Sequence, residues 1–533
     1  MIELVGSKFQ SPQHGSAKRS WFWLALQGFF AILFGLAFGS MAIHSVWGEA
    51  PSWNTLTEGL LIHILGSSAI LAAGAFVGTS IVGLSLAIWV AATPNRGKRF
   101  FDLLFILPLA VPPYVFAYSY AELVGYGGWL DTWFGTTLDI KNIWGAIFVF
   151  TFTLFPYVYL PCRIFLAQKS HWYEVGSSLG LSRYQSQWRL IRPMVLPVAM
   201  GGALLAVMEV LNDFGVCKYF GIPTLTVGIM KIWTGYGDYV SAVRLALILM
   251  TLVAVILILQ PSQKGNDQRL DRTDAKAGKY NALGALFASL VALLSLLLPL
   301  SIMIKGVWAT GSRVFDHSFA LAAWHSCSLA CLSAAIAVMV AFAIEFGLRH
   351  FPSFLGRRSK SIVLLCYSTP GIIIALGLLL PIVGLDRWMI KNQWTTAVIS
   401  QSLVLPVLAL VIRYTSVAVK SAESGYATVG KHVHESAESL GVPLSRSVFS
   451  IDLPLLSPAL IAGFVLVFVD VLKELPITMI TRPFNYDTLA TKAFFMASDE
   501  RLRESANASL LIVMVSALVL LLLSKKLING ASH

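Results

Sequence analysis

Twelve apolar runs, each near the roughly 20 residues that cross about 30 Å of hydrocarbon as a helix, leave this chain few folds to choose from. They lie at about 21–45, 64–91, 100–123, 142–166, 194–216, 241–260, 281–304, 320–346, 361–383, 395–418, 455–475 and 506–524. Strands of a membrane barrel would alternate in short segments, so unbroken runs select an all-α polytopic membrane protein. Charge is correspondingly scarce. Only 12% of the 533 residues are charged, about half the share of a soluble globular chain.

The first run follows Lys8, Lys18 and Arg19, a flank like that of a signal peptide. It is too long for such a core and no small-residue cleavage site follows, so it reads as a retained helix. Twelve crossings put both termini on one side. With that side cytoplasmic, the inner segments and helix ends collect 26 of the 39 Lys and Arg, as the positive-inside bias demands. This accounts for the net charge of +12, and no basic-aromatic module points to nucleic acid. Cys162, Cys217, Cys327, Cys331 and Cys366 fall in or beside apolar helices, where packing is their expected use.

The chain is written twice. Glu174, Gly180 and Pro193 reappear 261 residues later as Glu435, Gly441 and Pro454, each set between apolar stretches. His171 and His432 keep the same offset, and His434 stands beside the latter; their spacing is not that of a helical metal pair. Residues 174–179 and 435–440 suit a short helix, Gly180 and Gly441 the left-handed residue that ends one, and Pro193 and Pro454 the first turn of the next. A polar stretch, PSQKGNDQRLDRTDAKAGK, separates the copies. The expected organisation is a cytoplasmic segment at 1–20, a membrane unit at 21–260, a cytoplasmic linker at 261–280, a second unit at 281–526 and a tail at 527–533. Six crossings in each unit leave the halves in the same orientation, related by an axis along the membrane normal.

The repeated loop resembles the EAA motif of binding-protein-dependent ATP-binding-cassette (ABC) importer permeases: Glu-Ala-Ala, three residues, Gly, nine residues, Ile-x-Leu-Pro. The second copy keeps Glu435, Ala437, Gly441, Ile451, Leu453 and Pro454. The first has Val175 and Gly176 for the alanines, Leu190 for Ile and Arg192 for Leu. The resemblance implies two tandem six-helix type I importer (MetI-like) units with pseudo-twofold symmetry in a bacterial inner membrane. It also implies that Glu174, Gly180, Glu435 and Gly441 belong to coupling helices that dock on two copies of an ABC ATPase subunit, with a periplasmic substrate-binding protein as the other partner beside membrane lipid. The chain has no P-loop. Gly97-Lys98, Gly278-Lys279 and Gly430-Lys431 are followed by Arg99, Tyr280 and His432, not by the Ser or Thr that holds magnesium. The chain therefore reads as a transport subunit and not an enzyme, without a cofactor of its own; ATP and magnesium belong to the partner.

Glu209 and Asp213 in the fifth run map by the same offset onto Asp470 and Glu474 in the eleventh. Each pair is spaced i, i+4, hence on one helix face. At 1.5 Å per residue from Pro193, Glu209 lies about 24 Å and Asp213 about 30 Å along the helix, toward the outer mouth. Intramembrane carboxylates are costly and suit hard cations, so a cation path is one reading; neutralisation by Lys473 and Lys218, or outer-gate hydrogen bonding, is the other. No permanently bound metal is expected. The stretches at 212–229 and 473–495 resemble segments of ferric-iron importer permeases, which implies ferric iron as cargo. Fused permeases for thiamine and aminoethylphosphonate share the layout, and an ion-coupled secondary transporter would also use membrane carboxylates.

Overall fold

The computed structural model describes residues 13–92, 95–168, 172–259, 282–311, 316–394, 398–429 and 442–529, with Val433, Ser436, Ala437, Ser439 and Leu440 between the last two stretches. The linker at 261–280, His171, His432, His434, Glu435 and Gly441 lie outside the described residues. The regular structure of those described is helical, without strands, and 11 helices are long and apolar enough to span a membrane, or 12 with one bent pair.

In the first half these are α1 (Gln13–Trp47), α2 (Leu61–Ala92), α3 (Asn95–Ile106), α4 (Pro113–Val124), α5 (Ile143–Leu154) and α6 (Pro156–Gln168). Then come α7 (Trp172–Ser178), α8 (Arg183–Ser186), α9 (Arg192–Asn212), α10 (Gly215–Tyr219), α11 (Leu225–Tyr236) and α12 (Tyr239–Leu259). The second half has α13 (Ala282–Ala292), α14 (Leu298–Thr310), α15 (His317–His350), α16 (Phe354–Ser368), α17 (Gly371–Lys391) and α18 (Val404–Thr428). It ends with α19 (Leu444–Ser447), α20 (Leu453–Leu472), α21 (Pro476–Thr481), α22 (Leu489–Ser498) and α23 (Leu502–Asn529). The offset of 261 carries α8 onto α19 and the start of α9 onto the start of α20 without a residue's slip.

The third run, written as one apolar stretch, is broken. Val111 and Pro112 are extended, since a residue before proline is pushed out of the helical region, and the chain turns by 94° between Phe100–Ala110 and Pro113–Phe134. The ninth run breaks in the same way at Thr369 and Pro370.

Each half builds a three-helix core, α2 with α6 and α9, and α15 with α18 and α20. The first helix of each half reaches the other half: α1 packs on α16 and α17, while α13 and α14 touch α2 and α4, with α14 lying mainly along α23 of its own half. Small residues permit the closest approaches. A Cβ on Gly377 of α17 would stand 2.5 Å from the carbonyl of Ala37 on α1, so the helices meet backbone to backbone.

Candidate functional site

Between the halves lies a cavity of about 130 Å³ whose wall includes Glu209, Asp213, Asp470 and Glu474 together. The breaks put it there: Pro112 and Pro113 at the first and Tyr367 beside the second line it, and α9 and α20 end at it. Thr153 and Tyr157, about 15 to 21 Å from the start of α5 by helical rise, share the wall. The carboxylates therefore sit part-way along the bundle and not at its mouth. The count along α9 misplaces them because the chain does not leave after Asn212; it continues through α10 and α11, whose Val216, Cys217 and Leu225 are buried.

The four carboxylates are not equivalent. Asp213 and Glu474 each cap the short helix that follows, Asp213 Oδ1 accepting from Val216 N at 2.8 Å and Glu474 Oε1 from Ile477 N at 3.2 Å. Glu474 is also bound by Arg413, whose Nη1 lies 3.2 Å from Oε1, and by the Tyr414 hydroxyl. Asp470 pairs with Lys473 at 2.9 Å. Offset by 261, Arg413, Tyr414 and Lys473 become Phe152, Thr153 and Asn212, so the first half has no such cations. Lys218 is exposed and off the cavity wall; Glu209 has no ion-pair partner among the described residues. Local neutralisation thus holds in the second half and fails in the first. Four carboxylates against two cations leave the wall with a formal charge of −2.

Tyr114, Tyr157, Tyr367 and Tyr414 add phenol oxygens to the wall. Arg413 and these tyrosines have no like residue under the offset, so the repeat gives no sign of them. No three His, Cys, Asp or Glu side chains converge as a metal cage among the described residues. The wall can surround a cation with scattered oxygens but does not enclose one. A second cavity, of about 440 Å³, shares Tyr367 and runs along Ser416, Lys420 and Ser424 toward the repeated loops.

The loops themselves repeat in detail. Helix α7 carries Glu174 and ends at Gly180, whose φ of +72° is the left-handed cap. Leu181 N bonds Gly176 O at 2.9 Å, and Val442 N bonds Ala437 O at 3.0 Å, the same closing bond 261 residues on. A Cβ on Gly176 would meet Ser186 Oγ at 2.1 Å, whereas at the equivalent place in the second copy Ala437 stands with Ser447, whose hydroxyl is turned to Asp452. Pro193 and Pro454 stand in the first turns of α9 and α20 as expected, yet the helical path starts earlier, through α8 or α19 and a π-turn at Gln187–Ile191 or Val448–Asp452. Just before each glycine a leucine points outward, Leu179 at 66% and Leu440 at 82% exposure. They too obey the offset.

The profile of the family described as "Binding-protein-dependent transport system inner membrane component" matches residues 83–272 and again 333–531. The chain is 24% identical to the Fe(3+)-transport system permease protein FbpB 2 of Haemophilus influenzae, over 95% of this chain and 99% of that one. It is 21% identical to the ferric transport system permease protein FbpB of Actinobacillus pleuropneumoniae, over 87% of this chain and 71% of the relative. The sulfate transport system permease protein CysT of Escherichia coli is 25% identical over a shorter stretch, 31% of this chain and 61% of that one.

Proposed function

Because the chain belongs to the family of binding-protein-dependent transport system inner membrane components, we propose that it is the permease of an ABC importer that takes ferric iron from a periplasmic binding protein. As a multi-pass permease subunit of an ABC importer it depends on a separate ATPase and a binding protein. In our reading two ATPase subunits dock on the loops that carry Glu174 and Gly180, and Glu435 and Gly441, in a bacterial inner membrane with both termini cytoplasmic. The outward leucines, Leu179 and Leu440, are apolar anchors of the sort that fill a partner's pocket. ATP-driven approach of the two motors would bring the loops together and rock the halves between packed states.

The observation that carries the cargo assignment is the wall of the central cavity: Glu209, Asp213, Asp470 and Glu474 with four tyrosines and a formal charge of −2. Carboxylate and phenol oxygens suit a hard cation, and the negative balance repels an oxyanion. The same wall disfavours a phosphonate. Two relatives named for ferric transport align along nearly the whole chain, which supports the same cargo. Vesicles holding the complete importer, supplied in turn with labelled ferric iron, sulfate, thiamine and aminoethylphosphonate on candidate binding proteins, test this. Ferric uptake that needs ATP is expected, and it should fall at least about tenfold when Glu209 and Asp213 are both made amides. Uptake of sulfate in place of iron, or unchanged iron uptake in that double variant, would remove the proposal.

A further inference from the structure

Asp452 lies in the π-turn of the second loop with a fully buried side chain. Its Oδ1 accepts from the Tyr426 hydroxyl on α18 at 3.1 Å, and its Oδ2 from Ser447 Oγ at the end of α19 at 3.2 Å. His350 Nε2, at the end of α15, stands 4.0 Å away. One carboxylate therefore joins the loop to α18, with the end of α15 beside it. Offset by 261, Asp452, Tyr426 and His350 become Ile191, Phe165 and Trp89. Only the serine persists, as Ser186, and it bonds Ser182 O instead.

The same two helices are tied again at the cavity. Arg413 and Tyr414, 12 to 13 residues from Tyr426 on α18 and so about 18 to 20 Å away along it, hold Glu474 just past the end of α20. Helices α18 and α20 are thus pinned by buried polar contacts at both ends, near the loop and at the cavity. In the equivalent pair of the first half, α6 against α9, Cys162 and Leu166 pack with Ile191 and Val195 near the loop, and α5 has Phe152 and Thr153 where α18 has Arg413 and Tyr414. Apolar contacts can slide at small cost, whereas a buried hydrogen-bonded carboxylate incurs its full desolvation penalty if its partners part.

We propose that Asp452 is a positioning residue that clamps the second loop to α18, making α18 and α20 a strut that carries loop motion to the cavity, so that the two halves couple unequally. This rests on reading the repeated loops as the ATPase contacts. The strut is strong at the second loop and loose at the first. The test uses the complete importer in vesicles and reads ATP hydrolysed per ferric ion taken up for Asp452→Leu, Asp452→Asn, Tyr426→Phe and Ile191→Ala. Cysteines at Leu179 and Leu440, cross-linked to the ATPase, report docking in parallel. Asp452→Leu and Tyr426→Phe are expected to raise the ratio about fivefold or more, Asn to restore part of it, and Ile191→Ala to change it less than about twofold. A wild-type ratio in Tyr426→Phe with the cross-links intact overturns the strut, and this variant decides should Asp452→Leu fail to assemble. Missing cross-links in the unsubstituted background would instead overturn the docking reading itself.

Discussion

Gly371 shows how closely the cavity is built at the level of single residues. It opens α17 just after the Pro370 break, and a Cβ there would lie 2.1 Å from Arg413 Nη1, 2.8 Å from Ile477 Cγ1 and 3.0 Å from Glu474 Oε1. Gly371→Ala should therefore push the guanidinium off its carboxylate. A separated buried ion pair costs about 3 to 5 kcal/mol, so detergent-solubilised protein should show a clear fall in its thermal midpoint and lose ferric uptake. An unchanged midpoint and uptake would mean that the Arg413–Glu474 pair is dispensable. The four carboxylates of this cavity were legible in the sequence because they repeat under the offset. Arg413, the tyrosines and Asp452 were not, because each stands where the other half has an unlike residue. Repetition reveals what the halves share and conceals what distinguishes them. Leu179 and Leu440 do repeat, but a leucine in so apolar a chain carries no mark of its exposure.

At the scale of elements, the prolines that interrupt the third and ninth runs were visible, while the 94° turn at the first was not. A proline tells that a helix is disturbed; where the chain goes next depends on what packs around it, here a cavity wall shared with α9 and α20. Caps are similarly tertiary. Asp238 receives Ser241 N at 3.0 Å and the Ser241 hydroxyl at 2.6 Å at the head of α12, and also Ser52 N at 2.8 Å from a segment 186 residues away. Burial pushes this carboxyl up, but the hydrogen bonds from Ser241 and Ser52 outweigh it and hold it below the ordinary carboxylate range. A lowered acid stabilises the fold at pH values above its unfolded-state pKa of about 4, and that contribution disappears as pH falls through the lower folded value. Asp238→Ala should cost about 1 to 2 kcal/mol near neutral pH. The gap in thermal midpoint between this variant and the parent should narrow as the buffer is taken below about pH 4; a gap that widened there would show the carboxylate to be a liability in the fold.

For the whole molecule, the exchange of first helices matters more than the link between the halves. Helix α1 covers α16 and α17, while α13 and α14 reach α2 and α4 of the first half, with α14 also lying along α23. Phe34, Ala37 and Met41 of α1 are almost wholly buried among residues that include Ile374, Leu376 and Leu378 of α17 or α12's Ala242 and Leu245. One apolar core draws on both halves, from Leu71 and Val149 to Phe494 and Ile512. Neither half can satisfy its own helices, because each would leave a face of close, small-residue contacts such as Gly377 against Ala37 without its partner. Covalent linkage then adds local concentration and little else. A chain cut between residues 261 and 280 and expressed as two polypeptides should reassemble, copurify in equal amounts and carry ferric iron with its ATPase, whereas either piece alone should aggregate or be degraded. Size-exclusion chromatography of each piece and of the pair decides it. A first half that ran alone as a single well-behaved species would mean that the exchanged helices are accessory, and that the halves meet only through the cavity.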